Sequence, residues 1–414
     1  MLFRLIKLIK HKIKIIQDIS YSILASLISV GVMQLLLYPL LANMLNSMEY
    51  GLLLTLMGIV NTIASSVGNT LNNTRLIQQT KYDDNSVKGD FNILLLLTNT
   101  LGFVVTFIIG NIYVGFDVVT NILLSVLTVL ISIKSYMVVS YRIKINYKLN
   151  LLCNVVTSIG YIIGIVIAYY TSIWPLAFII GEIFGLIYVL FTSDLHKEPL
   201  KISGLFTETT VKYALLIITG LLSNLLVYLD RLIIYPVLGS EYVSIYITAA
   251  VFGKSFGIIM TPIAGVLLSY FSQKVFVMTR KRFWYINLVT FSLSFIFLFF
   301  TMIIAPWFTG ILYPKLIKEA TPYILYANIA AILGVVANIV QASVLKFAPT
   351  YWQVLKEIIY GFIYLGLGYT FMIKHGIIGF CYAAIIANLV RVILLCLIGT
   401  IFINEKEKVM LPKI

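Results

Sequence analysis

Long apolar stretches recur along the whole sequence, and only short polar connections separate them. Each stretch can cross a hydrocarbon core of about 30 Å, which requires about 20 helical residues. Within that core the backbone must satisfy its own polar groups, so each stretch is predicted to be an α-helix. The stretches lie at residues 19–42, 51–75, 91–113, 118–141, 151–170, 174–193, 213–238, 241–272, 285–312, 321–346, 354–373 and 377–403. The sequence therefore predicts an all-α integral membrane protein with twelve transmembrane helices.

The composition agrees with a membrane protein. The chain is 60% hydrophobic and only 11% charged, which is too few charges for the surface of a soluble protein of 414 residues. Its net charge of +14 lies in short patches between the apolar stretches, a distribution typical of membrane orientation signals and not of nucleic-acid binding. The cysteines (Cys153, Cys381 and Cys396) lie in or beside apolar stretches, so no disulfide framework is expected.

The distribution of basic residues predicts the orientation. With the N-terminus inside, 23 of the 30 Lys and Arg residues lie on inner segments and three, Lys315, Lys318 and Lys374, on outer ones. Cytoplasmic connections carry the excess of basic residues, so both termini are predicted to be cytoplasmic. Residues 1–15 are expected to form a basic amphipathic helix on the membrane surface, or a plain orientation signal, and residues 404–414 a cytoplasmic tail.

A short internal repeat divides the chain into halves. Tyr38-Pro39 ends the first apolar stretch and Tyr235-Pro236 ends the seventh, 197 residues later. Glu49 and Glu241 open the stretches that follow, 192 residues apart. Six helices plus six predict two lobes related by pseudo-two-fold symmetry about an axis along the membrane normal. The predicted boundaries are 16–195 for the N-lobe, 196–212 for a cytoplasmic linker and 213–403 for the C-lobe.

Several charged side chains lie inside the apolar stretches, where a charge near the bilayer centre costs roughly 2.5–3.5 kcal/mol. The basic ones are Lys134, Arg231, Lys254 and Arg391, and the acidic ones are Glu182 and Asp230. A positive excess in the membrane interior is unfavourable unless an anion visits it. Because Lys and Arg commonly recognise phosphate, the pattern favours an anionic substrate, with the four basic residues as candidate binding groups.

The roles of the individual polar residues stay open at this point. Lys134 is close enough to the inner end of its span either to extend its amine to the interface or to line a cavity. Glu182 could neutralise a basic residue or carry a proton, and Asp230 is the other candidate for coupling to a proton or sodium gradient. The polar side chains expected to line a hydrated cavity are Asn61, Asn69, Asn72, Asn73 and Asn388.

Signals of catalysis are missing from the sequence. It contains no Walker-type glycine loop, no GxSxG, no HExxH and no CxxC pair. The outer connections are short, whereas a membrane glycosyltransferase would need acidic groups on a sizeable outer loop. We therefore expect neither an enzyme nor a bound metal or cofactor.

The run LDRLIIYPVLGSEYVSIY, followed by GKSFGIIMTPIAGVLLSYFS, resembles the polysaccharide-unit flippases of the MOP exporter superfamily (the polysaccharide transporter family). The segment Leu45 to Gly51 and the polar second span resemble the same family. The resemblance covers the whole chain by helix count and about 80 residues by motif. It implies two six-helix lobes around a V-shaped cavity, alternating access, and a cargo of oligosaccharide joined by pyrophosphate to undecaprenol.

The function expected from the resemblance is a flippase that moves lipid-linked repeat units of O-antigen, capsule or exopolysaccharide from the inner to the outer leaflet of the bacterial plasma (inner) membrane. Its expected partners are the lipid bilayer, the undecaprenyl-pyrophosphate-linked glycan, and a polysaccharide polymerase with chain-length proteins. Two alternatives are a multidrug or organic-cation antiporter of the same superfamily and a non-transporting membrane assembly protein. Against the antiporter, its relatives usually carry acidic sites inside the first lobe, whereas Asp18 lies only at the inner edge of the first span.

Overall fold

The computed structural model describes residues 17–18, 20–114, 117–271 and 278–403, and these residues are helical apart from short connections. The amphipathic helix predicted for residues 1–15 and the tail at 404–414 lie outside the described residues. The chain divides into two compact units. The first comprises residues 1–45 and 52–232, and the second comprises residues 46–51 and 233–414.

The helices of the first part of the chain, as far as residue 238, are α1 (Ser20–Met44), α2 (Ser47–Asp84), α3 (Asp90–Val114), α4 (Val118–Met137), α5 (Val139–Ile143), α6 (Tyr147–Thr171), α7 (Pro175–Thr192), α8 (Phe206–Val227) and α9 (Leu229–Leu238). A 3₁₀ turn, Leu195–Lys197, follows α7. The helix α1 contains a π-helical segment, Met33–Leu37, directly before Pro39. Proline cannot donate a backbone hydrogen bond, so an irregular helical turn at this point has a local cause.

The remaining helices belong to the second unit. They are α10 (Ser240–Ala249), α11 (Val251–Phe271), α12 (Arg280–Leu312), α13 (Ile317–Ala320), α14 (Ile324–Phe347) and α15 (Thr350–Phe402), with a 3₁₀ turn at Thr321–Tyr323. The helix α15 changes direction at Gly376, whose backbone is not helical (φ 61°, ψ −145°). Glycine adopts this left-handed region without steric cost, so it allows the turn between two apolar segments.

Among the described residues, 10 helices are long and apolar enough to cross a membrane. The chain is therefore a multi-pass integral membrane protein. This count differs from the twelve predicted spans in two regions. The pair α10 and α11 is not among the 10 helices, and the two segments of α15 are counted as one. The count of twelve, the lobe boundaries and the cytoplasmic termini stay predictions.

The interruption between α10 and α11 has a clear physical cause in α14. The Asn328 side chain accepts a hydrogen bond from the Gly253 backbone N–H and donates one to the Ala249 carbonyl over 2.9 Å. In an unbroken helix that N–H and that carbonyl would bond to each other. A side chain inserted into the helical ladder is a recognised cause of a kink, and Asn328 satisfies both freed backbone groups.

The hairpin of α6 and α7 packs closely because glycines line its seam. A Cβ added at Gly160 would lie 2.8 Å from the Gly181 Cα, and one at Gly164 would lie 2.6 Å from the Ala177 carbonyl oxygen. Small residues let transmembrane helices approach closely, and van der Waals packing then holds the pair together. This close approach brings Tyr161 of α6 against Gly181 of α7.

The segment between α7 and α8 is firmly attached to the first unit. The Glu198 carboxylate forms a two-pronged ion pair with Arg75 of α2, with N–O distances of 2.6 and 2.7 Å. The Asp90 carboxylate accepts a hydrogen bond of 2.7 Å from the Ser203 backbone N–H and another from its hydroxyl. The part of the predicted linker that precedes α8 is thus an ordered extension of the first unit.

Candidate functional site

In the first unit, three side chains converge on a buried ion pair. The Lys134 Nζ of α4 lies 2.7 Å from the Glu182 Oε2 of α7. The Tyr161 hydroxyl of α6 donates a hydrogen bond to the other carboxylate oxygen. The side chains of Lys134 and Glu182 are 16% and 4% exposed. Of the two roles considered for Glu182, this geometry fits neutralisation of a basic residue, because one acid faces one base and a hydroxyl.

The Asp230-Arg231 pair is also buried in the first unit. The Arg231 guanidinium donates to the Leu54 carbonyl over 3.1 Å and lies 5.3 Å from the centre of the Tyr228 ring. The Asp230 carboxylate accepts the backbone N–H of Arg231 at 2.8 Å, in the first turn of α9. Acidic groups are stabilised at such helix N-termini. Both side chains therefore have local structural partners.

The asparagines of α2 do not form one uniform stripe. Asn72 is buried and Asn69 and Asn73 are exposed, while the Asn61 amide bonds to the Met57 carbonyl of its own helix at 2.7 Å. The Arg142 guanidinium, on α5, donates to the side-chain oxygens of Asn72 at 2.7 Å and Asn73 at 2.9 Å. Asn72 and Asn73, two of the predicted lining residues, are thus held together by Arg142, which the sequence predicts to lie on an inner connection.

In the second unit, the Lys254 amine of α11 lies 5.8 Å from the centre of the Tyr246 ring of α10, and its residue is half-buried. This distance is within the range of a cation–π contact. The interruption at Ala250 allows the two helices to present these side chains to each other.

A polar cluster of the second unit surrounds Arg391 in the last segment of α15. The guanidinium donates to the Gln341 side chain at 2.9 Å and to the Glu357 Oε1 at 3.4 Å, and it lies 5.0 Å from the Tyr360 ring centre. The Tyr360 hydroxyl in turn donates to the Asn388 side-chain oxygen at 3.4 Å. The cluster therefore joins two predicted residues, Arg391 and Asn388, through a tyrosine.

Sequence reasoning missed two members of this cluster, Lys356 and Glu357. The Lys356 Nζ lies 2.6 Å from the same Glu357 Oε1 that Arg391 approaches, and the Lys356 side chain is only 2% exposed. From the sequence, Lys356 is predicted to lie on an inner connection. The signal that could have found the pair is its position: Lys-Glu falls inside the apolar stretch 354–373, where both charges need partners.

The two sites differ in charge. The Lys134–Glu182 pair is neutral, whereas Lys356 and Arg391 share the single carboxylate of Glu357 and leave one positive charge in excess. A buried charge requires compensation, so this cluster is suited to a further anion. Within the described ranges, no group of three or more His, Cys, Asp or Glu side chains is placed to hold a metal ion.

The fold is similar to that of solved MOP superfamily transporters. An inward-facing multidrug resistance MATE family transporter of this superfamily superposes with a TM-score of 0.66 at 16% identity, covering 93% of this chain and 94% of the other. An outward-facing form of such a transporter gives a TM-score of 0.63 at 14% identity, covering 93% and 95%.

A third similar structure is a MOP superfamily transporter from Pyrococcus furiosus, described as having a binding pocket of reverse polarity that suggests a different function. Its TM-score is 0.58 at 13% identity, with 93% of this chain and 95% of the other covered. No protein-family model matches the sequence, and no curated protein matches it. At these identities the likeness shows that this chain has the MATE and MOP transporter fold.

Proposed function

We propose that this chain is an alternating-access flippase that moves undecaprenyl-pyrophosphate-linked oligosaccharide units from the inner to the outer leaflet of a bacterial plasma membrane. Support for transport comes from the fold, which solved transporters share in both inward-facing and outward-facing forms. Support for this cargo comes from the motif resemblance and from the charge of the candidate sites.

The observation that carries the proposal is the pairing of two acids inside the membrane spans with basic side chains. Glu182 is held by Lys134, and Glu357 is held by both Lys356 and Arg391. An exporter of organic cations needs a carboxylate that is available to the cation. Here these two carboxylates are already engaged by bases, and the cluster around Glu357 keeps a positive excess that suits a pyrophosphate. Polar side chains such as Asn69 and Asn73, which are exposed, suit a sugar.

The experiment uses bacteria that lack their own flippase for a defined surface polysaccharide. Expression of this chain should restore the polysaccharide, and the double variant Lys254→Gln/Arg391→Gln should not, with lipid-linked units accumulating on the inner face. Each charge-assisted contact to phosphate is worth about 1.5–3 kcal/mol, or roughly ten- to a hundredfold in affinity. Lys318→Gln/Lys374→Gln removes the same two charges at exposed positions and serves as the matched control.

A multidrug exporter is the second candidate, because two of the similar structures are multidrug resistance transporters. The two functions separate in one assay of ethidium efflux. Energised ethidium efflux by the unaltered chain, combined with its failure to restore the polysaccharide, would overturn the flippase proposal. Full polysaccharide export by Lys254→Gln/Arg391→Gln would overturn the cationic binding groups and leave the flippase standing. We further propose that a proton or sodium gradient drives the cycle and that the polymerase and chain-length proteins of the same polysaccharide act beside it.

A further inference from the structure

Two cations of the second unit are bound to one oxygen atom of one carboxylate. The Glu357 Oε1 lies 2.6 Å from the Lys356 Nζ and 3.4 Å from the Arg391 Nη2. A guanidinium normally engages a carboxylate through two parallel hydrogen bonds, one to each oxygen. Arg391 is instead held more closely by the neutral Gln341, at 2.9 Å. Its bond to the acid is therefore the weaker one in the cluster.

The guanidinium of Arg391 also keeps hydrogen-bonding capacity. Its Nε atom is buried and has no hydrogen-bond acceptor among the described residues. A buried donor without an acceptor is destabilising, so an incoming acceptor would be stabilised here. The Tyr360 ring beside the guanidinium and the Gln341 bond fix its orientation before any ligand arrives.

The side chains of the cluster differ in their exposure. Lys356 is 2% exposed, whereas the side chains of Arg391 and Glu357 are 14% and 17% exposed. A ligand that enters the cluster meets Arg391 and Glu357 first, with the Lys356 amine behind them. The carboxylate would repel an anion at this position, so the anion can bind only if that negative charge moves or is neutralised.

We propose that this cluster, Gln341, Lys356, Glu357, Tyr360 and Arg391, is a phosphate site in which Glu357 is the exchangeable counter-ion. A phosphate group of the lipid-linked substrate takes over Arg391 and Lys356. The Glu357 carboxylate, released from both bases, takes up one proton and becomes a neutral carboxylic acid. Binding of the anion is thereby coupled to uptake of one proton. This inference rests on the proposed function, because the substrate class comes from it.

The groups around Glu357 support this assignment of the proton. The titratable or charged side chains of the described residues that face it are Lys356 and Tyr360 from its own helix segment and Arg391 from the last segment of α15, while α14 contributes the uncharged Gln341. Glu357 is thus the acid of the cluster. When a phosphate supplies the negative charge, a second ionised acid beside it is disfavoured.

The test measures binding of undecaprenyl diphosphate to the full-length protein in nanodiscs at pH 6 and pH 8, by calorimetry in two buffers of different ionisation enthalpy. The unaltered protein should bind more tightly at pH 6 and take up about one proton per ligand. Arg391→Gln should weaken binding by about ten- to a hundredfold, the loss of one charge-assisted phosphate contact. Glu357→Gln should bind at least as tightly at both pH values and take up no proton.

Glu357→Gln leaves Lys356 without its counter-ion and could prevent folding. The double variant Lys356→Met/Glu357→Gln keeps the site neutral apart from Arg391. It loses the Lys356 contact to phosphate, so it should bind more weakly than Glu357→Gln but still without proton uptake. Weaker binding by folded Glu357→Gln, or proton uptake that persists in either variant carrying this change, overturns the exchange. Unchanged affinity of Arg391→Gln for undecaprenyl diphosphate overturns the assignment of the cluster as a phosphate site.

Two further measurements, competition binding and polysaccharide export, identify the source of the phosphate and test the phosphate site separately from the proposed flippase function. Inorganic pyrophosphate should compete if the diphosphate group is what binds, whereas nanodiscs rich in phosphatidylglycerol should compete if any anionic headgroup suffices. Competition by phosphatidylglycerol alone would overturn the assignment to the diphosphate. Polysaccharide export that survives Arg391→Gln would sink this site while leaving the flippase standing. Proton-linked pyrophosphate binding without any polysaccharide export would support this site and overturn the flippase proposal.

Discussion

The two buried ion clusters are built from the same kinds of residue but differ in net charge. In the first unit, Glu182 faces one lysine and one tyrosine and is neutralised. In the second unit, Glu357 faces a lysine, an arginine and, one contact further, a tyrosine, and the cluster stays positive. One added base therefore separates a structural pair from a candidate binding site.

The difference lies in what holds each base. Lys134 packs in the glycine-lined region of α6 and α7, where a Cβ at Gly185 would lie 2.9 Å from its Cδ. Arg391 is held by an amide and an aromatic ring, neither of which carries a charge. Removing the base should therefore harm folding in the first cluster and ligand binding in the second.

The largest effect on folding is expected from Lys134→Met. It leaves the Glu182 carboxylate buried without a cation, and removing one partner of such a pair destabilises by about 3–5 kcal/mol. The amount of monodisperse protein and its thermal unfolding in detergent should fall sharply. Lys134→Met/Glu182→Gln should recover most of the loss, because the amide can still accept the Tyr161 hydroxyl. A double variant as unstable as the single one would contradict the ion-pair explanation.

A smaller effect is expected from Gly185→Ala, which tests the packing that holds Lys134. The new methyl group would lie 2.2 Å from the Thr157 Oγ1 as well as against the lysine. Such overpacking costs typically about 1–3 kcal/mol, and thermal unfolding should report it. Gly366→Ala is the matched control, since a Cβ there has nothing within 4 Å. Equal melting temperatures for the two variants would show that the seam is looser than described.

The smallest effect on folding is expected from Arg391→Gln. It removes the surplus charge and leaves Lys356 and Glu357 as a neutral pair, so the losses are the ring contact with Tyr360 and the hydrogen bonds to Gln341 and Glu357. A cation–π contact of this kind contributes about 0.5–1 kcal/mol. The melting temperature should stay nearly that of the unaltered protein while export is lost. A destabilisation as large as that of Lys134→Met would erase the distinction between the two clusters.

Much of the fold could be predicted from the sequence because the bilayer imposes it. Apolar length determines the helical stretches, and nearly all of the described helices lie where hydropathy placed them. The interruption at Ala250 could not be predicted, because its cause is Asn328, a residue 79 positions away from Ala249. No local Gly-Pro signal marks that break.

The charge pairs were harder to predict, since helix spacing does not reveal which helices touch. Lys134 and Glu182 were both identified as polar residues inside spans, but their contact depends on the α4 and α7 packing. Arg75, at the inner end of the predicted stretch 51–75, counts with the inner segments by its position, although it is buried and bonded to Glu198, 123 residues away. Lys356 was assigned in the same way, because hydropathy near the end of a span does not distinguish a loop from a buried helical turn.

The adjacency of Lys356 and Glu357 has a consequence for how the chain enters the membrane. The two residues are made one after the other, so they leave the ribosome and reach the bilayer together as a neutral pair. Arg391 follows its carboxylate by 34 residues. An arginine entering alone would meet an insertion barrier of roughly 2.5–3.5 kcal/mol. Here its acceptor is already in place when it arrives, and the order of synthesis matches the order of charge neutralisation.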